Sequence, residues 1–256
     1  MSSTPRIHRL TELSRTRVAE LAPTATLVLP IGATEQHGPD LPTGTDAMSV
    51  EAALAAGLEQ LRAAADVIIA PTLAYGQSQH HLFACAASLT PATFALVLED
   101  LFASLTTSGF RRIFILNGHG GNDELIRIGV AKATVAHRGL FAAASYWGFV
   151  EPADGPGFDH IPGHAGAFEA SVLLARYPTL VPTGSIPSSD PGPPGSHVTP
   201  IGPGVTLGRH GDWQSSAGFT DDPSAGSVQA GSAYLQGLGG RLAQALAAFI
   251  ATPDAR

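Results

Sequence analysis

Two apolar runs of strand length, Thr26-Leu27-Val28-Leu29-Pro30-Ile31 and Ile113-Phe114-Ile115-Leu116, are each followed within a few residues by glycine and by metal-capable side chains. This constrains the fold more than any other feature of the chain. A continuous apolar run suits a strand covered on both faces, as in a parallel sheet, and open sheets of that kind build their sites at the carboxyl ends of the strands. Helical periods follow: an Ala-rich one from Asp46 to Ala65, one from Thr90-Pro91 through Leu96, Val97, Leu101 and Leu105, and one from Asp123 to His137. Thr90 before Pro91 is a helix cap followed by a first-turn proline. Val67-Ile68-Ile69-Ala70 and Leu140 to Tyr146 read as further strands, and Ser227 to Ile250 as a closing helix. The expected fold is α/β, a mainly parallel sheet with helices on both faces, in a single domain over residues 1–256. Residues 178–227, rich in Pro and Gly, read as a loop region, because Pro187 to Gly195 can continue neither a helix nor a central strand. A loop that long suits oligomer contacts or a lid.

The donors lie just beyond the apolar runs. Glu35 and His37, two apart on extended backbone, face one side at a separation of roughly 6 to 7 Å, so they flank a site without sharing one metal. That suits two ions about 3.5 to 4 Å apart. Asp46 opens the next helical period, where it serves either as a helix cap or as a carboxylate whose two oxygens bridge both ions. In Asn117-Gly118-His119-Gly120-Gly121-Asn122, the glycines let the His119 imidazole project from a tight turn into a cleft. A phosphate cradle is the competing reading, but no Gly-Lys-Ser/Thr follows. His164 precedes a helical period in which Glu169 falls in an early turn, where the helix dipole favours its ionised form. Glu35, His37, Asp46, His119 and Glu169 are therefore the candidate metal ligands, and His164, as an imidazole near its ordinary pKa, the candidate proton carrier. Mixed carboxylate and imidazole donors suit two divalent ions, zinc or manganese. Two such ions against three carboxylates and a hydroxide leave a centre near neutrality.

Composition excludes other classes. A formal charge of −7 with no Lys/Arg cluster argues against nucleic acid and anionic membranes. Only 14% of residues are charged, which favours burying surface in a homo-oligomer. Cys85, the only cysteine, cannot form an internal disulfide and reads as a small buried hydrophobe. No signal-like start or long apolar span is visible, so the chain reads as cytoplasmic. His197, His210 and Trp213 read as solvated or packing residues. Trp147, after the Leu140 run, is a candidate substrate-binding wall.

Taken together, Gly32-Ala33-Thr34-Glu35-Gln36-His37-Gly38-Pro39-Asp40-Leu41-Pro42 with Asp46, and Asn-Gly-His-Gly-Gly-Asn at 117–122, resemble the creatininase (creatinine amidohydrolase) family. The likeness runs from about Leu29 to Glu169 and returns at Gly218 to Ser224. It implies a two-metal centre bridged by Asp46, a homo-oligomer that is often a hexamer, and hydrolysis of a cyclic or unusual amide C–N bond by metal-activated hydroxide. Creatinine-cleaving members carry Glu where this chain has Gly121, a departure that weighs against creatinine itself. In Tyr75 to Ala86 the family pattern is blurred, so His80 and His81 read as partly solvated loop residues without a role. The leading expectation is hydrolysis of a small cyclic amide or lactam. A deformylase or peptidase acting on a formamide or modified peptide is the alternative, and a non-catalytic metal-stabilised oligomeric module the third reading.

Overall fold

The computed structural model describes residues 4–155, 163–181, 210–215 and 218–253. The Pro187 to Gly195 stretch and His197 lie outside the described residues. Strands β1 (Arg6–Arg9), β2 (Thr26–Ile31), β3 (Asp66–Ile69), β4 (Arg112–Asn117) and β5 (Leu140–Ser145) form one sheet in the order β1-β3-β2-β4-β5, and every pairing is parallel. The helices are α1 (Arg15–Leu21), α2 (Thr45–Gln60), α3 (Pro91–Thr107), α4 (Asp123–Ala136), α5 (Ala167–Arg176), the single turn α6 (Asp212–Ser215) and α7 (Val228–Ala251).

Side chains alternate across a pleated sheet, and here they feed two cores. Val28, Val67, Phe114 and Leu116 pack with residues of α2, α5 and α7. Leu27, Leu29, Ile68, Ile113 and Ile115 pack with residues of α3 and α4. The expected parallel sheet with helices on both faces is therefore the observed architecture. Thr90 caps α3 by accepting from the Thr93 amide at 3.1 Å, and Ser227 caps α7 by accepting from Ala230 at 3.1 Å. The Ala-rich period ends sooner than its composition suggests. At Leu61 the backbone turns extended and buries that side chain completely, so core packing overrides the helix propensity of the alanines that follow.

β1 falls in an N-terminal stretch that carries no apolar run. Its edge position explains why: only one side pairs, and no buried residue marks it. It is fastened by Asp66 on β3, whose carboxylate accepts from Arg6 Nε at 2.8 Å and lies 2.8 Å from His8 Nε2. Hydrogen bonding from Arg6, with a smaller contribution from His8, depresses the Asp66 pKa to about 2 even though burial opposes it. A depressed carboxylate contributes stability above its ordinary pKa and loses it as pH falls towards the folded value. Asp66→Asn is accordingly expected to lower the melting temperature at pH 7 by about 2 to 4 °C, from an ion pair worth about 1 kcal/mol. The difference should shrink as pH approaches 2. Equal melting of the two proteins at pH 7 in thermal scans would remove the anchor from the account.

Candidate metal centre

Helix α2 is seated directly over the ends of two strands, and two glycines permit it. A Cβ at Gly32 would lie 2.6 Å from the Ala47 amide nitrogen, and one at Gly118 2.5 Å from the Asp46 carbonyl oxygen. Gly44 occupies the cap position of α2 without a side-chain bond, so Asp46 is not the cap but a first-turn residue turned into the interior. Glu35, His37, Asp46, His119 and Glu169 converge there, all between 0% and 5% exposed.

The convergence produces four donor groups among the described residues: Glu35, His37 and His164; Glu35, His80 and His81; and two nests that overlap at Asp46. Donor atoms of Glu35, Asp46 and His119 all lie within 4.8 Å of one another, as do those of His37, Asp46 and Glu169. Asp46 belongs to both: its Oδ2 is 3.1 Å from His119 Nδ1 and its Oδ1 3.2 Å from His37 Nε2. Glu35 Oε1 is 3.3 Å from His119 Nδ1, and Glu169 Oε1 3.8 Å from His37 Nε2. Three buried carboxylates thus converge with, among the described residues, only imidazoles to balance them. Glu35 Oε1 and Asp46 Oδ2 are fully buried without a hydrogen-bond partner, which is costly unless a cation faces them. The donor set and these orphaned oxygens fit divalent metal.

Outer hydrogen bonds aim the imidazoles. His37 Nδ1 lies 3.2 Å from the Glu35 carbonyl, leaving Nε2 for the centre. His119 Nε2 lies 2.8 Å from the Gln77 carbonyl, leaving Nδ1. Such partners set which nitrogen is free and hold the ring in place. Asn117 supports the same turn, accepting from the His119 amide and donating to its carbonyl. Ser78 donates a short hydrogen bond to Glu35 Oε2. Burial opposes charge on His37 and His119, but Asp46, with Glu169 beside His37 and Glu35 beside His119, outweighs it and raises both pKa values well above the ordinary one. The Asp46 pKa is held down by the same two imidazoles against the effect of burial, whereas burial raises that of Glu169.

The segment before α5 is held by the Gly218 to Ser224 stretch. Thr220 accepts from the His164 amide at 2.7 Å, and Asp221 accepts from the Ala167 amide at 2.8 Å. Ala165 adopts a left-handed conformation (φ 54) that alanine rarely takes, and its amide donates to Glu169 Oε2 at 2.6 Å. His164 Nε2 is 3.0 Å from the Gln36 carbonyl, and its Nδ1 is 3.5 Å from Glu35 Oε1. The structure differs here from the expected imidazole of ordinary pKa. Burial, reinforced by His37 and His81, pushes His164 well below it.

His81 is the residue that sequence reasoning missed. It is fully buried rather than solvated, 3.6 Å from Glu35 Oε1, and its ring stacks on His164 with centroids 4.2 Å apart. Gln36 Nε2 lies 2.9 Å from His81 Nδ1. Burial, then His80, lowers the His81 pKa to about 2. The spacing of Glu35, Gln36 and a remote histidine carries no local period, so only the loop conformation reveals the contact. Cys85 is also corrected: its side chain is exposed, while its backbone carbonyl accepts from the Gln36 amide. Trp147 is partly buried against Tyr146, 5.5 Å between centroids, and faces a cavity of about 340 Å³ also lined by Asp46, His119, His164, Glu169 and Trp213.

A profile of the creatininase family, described as creatinine amidohydrolase, matches residues 11–246. The chain belongs to the creatininase family. Within it, a creatinine amidohydrolase of Pseudomonas putida is 30% identical over 202 residues, covering 70% of this chain and 75% of that protein. A mycofactocin precursor peptide peptidase of Mycolicibacterium smegmatis is 38% identical over 160 residues, a match spanning 61% of this chain and 60% of that protein's length. A creatininase crystal structure aligns with a TM-score of 0.76 at 26% identity, over 96% of this chain and 98% of that one. A creatininase described as Mn and a mutant of Zn-Zn type align with TM-scores of 0.75 and 0.73. The creatininase-like fold expected from the sequence is therefore established.

Proposed function

We propose that this protein is a hydrolase of an amide C–N bond that works with two divalent cations, zinc or manganese. The observation that carries the reading is the pair of donor nests sharing Asp46. Glu35, Asp46 and His119 would hold one cation, and His37, Asp46 and Glu169 the other. Bound there, the cations supply Lewis acidity, which activates water near neutral pH and polarises an amide carbonyl. His164 turns Nδ1 towards the centre, 3.5 Å from Glu35 Oε1, while its Nε2 lies 3.0 Å from the Gln36 carbonyl. It can take a proton at Nδ1 and return it to the leaving nitrogen. Trp147 and Trp213 wall the cavity and limit water around the reacting bond.

Within this class we favour a peptide-type substrate over the small cyclic amide. The 38% identical relative is named a peptidase of a precursor peptide, and residue 121 is glycine. A Cβ at that position would overlap the Gln77 carbonyl and lie 2.5 Å from His119 Nε2, so there is no room there for a carboxylate side chain. A cyclic amide remains the second reading, favoured by the 30% identity to a creatinine amidohydrolase. A homo-oligomer in the cytoplasm is the setting we propose; among the described residues no helix is long and apolar enough to cross a membrane.

Turnover of a panel of short peptides, formamides, lactams and cyclic ureides, with metal and after chelation, tests the reaction class. Activity that survives complete metal removal would overturn it. His164→Ala is expected to lower kcat by about 10² to 10³-fold with the metal content retained, the range of a lost general acid–base group. Full turnover by that variant would exclude the role given to His164.

A further inference from the structure

Gln77 supplies the only carboxamide among the described side chains that line the metal cavity, and no Lys or Arg lines it. Its backbone is clamped on both sides. The Gln77 amide donates to Asn122 Oδ1 at 2.9 Å, and its carbonyl accepts from His119 Nε2 at 2.8 Å. Asn122 is itself fully buried and donates to the Gly32 carbonyl at 3.1 Å and to Asn117 Oδ1 at 3.2 Å. Gly76 leaves room for this clamp, since a Cβ there would lie 2.5 Å from Asn122 Oδ1. The carboxamide then lies over Gly121, with Gln77 Oε1 2.9 Å from the point a Cβ at 121 would occupy. None of the hydrogen bonds among the described residues uses that carboxamide.

A half-buried carboxamide on a fixed backbone presents a donor and an acceptor side by side. A trans peptide unit points its carbonyl and N–H in opposite directions, so the group that matches both is one residue of an extended peptide, whose own N–H and C=O face the same side. Among the described residues no Lys or Arg lines the space to pair with an anionic substrate group, and Trp147 and Trp213 bound it. We propose that Gln77 forms a backbone-recognition subsite, pairing with the N–H and C=O of one residue of an extended substrate while the reacting amide lies at the nests. The substrate is then a molecule with at least two amide units, a peptide, and not a compound with one. The inference rests on the hydrolytic reading only for where the reacting amide sits.

The test compares two probes on metal-loaded protein: an N-acetyl dipeptide methylamide, with three amide units, and the matched depsipeptide in which ester oxygen replaces the N–H of the residue that pairs with Gln77. Wild type is expected to favour the peptide in kcat/KM by about tenfold, the scale of one hydrogen bond. Gln77→Leu should bring that ratio close to one while metal content stays unchanged, and Gln77→Met repeats the measurement should the leucine variant misfold. A ratio in both variants equal to that of wild type would overturn the subsite. If wild type cleaves neither probe, the side-chain ¹⁵N–¹H signal of Gln77, assigned by its loss in Gln77→Leu, decides. A shift of that signal on adding the peptide, and not the depsipeptide, keeps the subsite and rejects the hydrolytic reading. No shift ends the subsite.

Discussion

Asp46→Asn is expected to lower metal content and to reduce turnover by roughly 10⁴-fold, the largest effect of any single substitution in this protein. Asp46 is the only residue common to both nests, with one oxygen 3.1 Å from His119 Nδ1 and the other 3.2 Å from His37 Nε2. Asparagine keeps the volume, so the packing of α2 against Gly32 and Gly118 survives. It removes the charge and leaves one oxygen where two are needed. Losing metal assistance of about 6 kcal/mol to an amide-hydrolysis barrier corresponds to that factor. The measurement is metal stoichiometry by elemental analysis beside kcat on the best substrate of the panel. A variant that retains two equivalents of metal would show that Asp46 is not shared.

Metal removal should also lower the melting temperature by about 8 to 16 °C. A ligand present at a thousand times its Kd stabilises the folded state by about 4 kcal/mol, and a domain of this size moves about 2 to 4 °C per kcal/mol. The sensitivity has a local cause: without cations, the buried carboxylates of Glu35, Asp46 and Glu169 have, among the described residues, only imidazoles to balance their charge. Thermal scans with chelator, and again after adding back zinc or manganese, read the shift directly. Asp46→Asn serves as the control, because its melting should no longer respond to added metal. Melting of wild type that is indifferent to chelation would mean that the cavity's carboxylates are neutralised by its imidazoles alone.

The sheet was legible where strands are buried on both faces. Thr26–Ile31 is buried throughout, so its apolar run states the element without ambiguity. β1 was not legible, because an edge strand reading Arg-Ile-His-Arg owes its place to Asp66, sixty residues away, rather than to its own hydrophobicity. The same contrast divides the centre. Glu35, His37 and His119 could be placed because each lies just past the end of an apolar run. His81 and Gln77 could not, because the loop that carries them has no period and takes its shape from partners on other segments, Gln36 and Asn122.

The amino-acid order alone determined which candidate donors this protein owns and that Glu35, His37 and His119 follow strand ends, since apolar runs and glycine breaks are local properties of the chain. Only the tertiary structure decided that Asp46 is held in common, that His119 turns Nδ1 and His37 turns Nε2 towards the centre, and that His81 is buried against Glu35. The physical reason is that the free nitrogen of an imidazole is set by whatever carbonyl engages the other one. For His119 that carbonyl belongs to Gln77, forty-two residues away, and nothing in the local sequence around either residue announces the other.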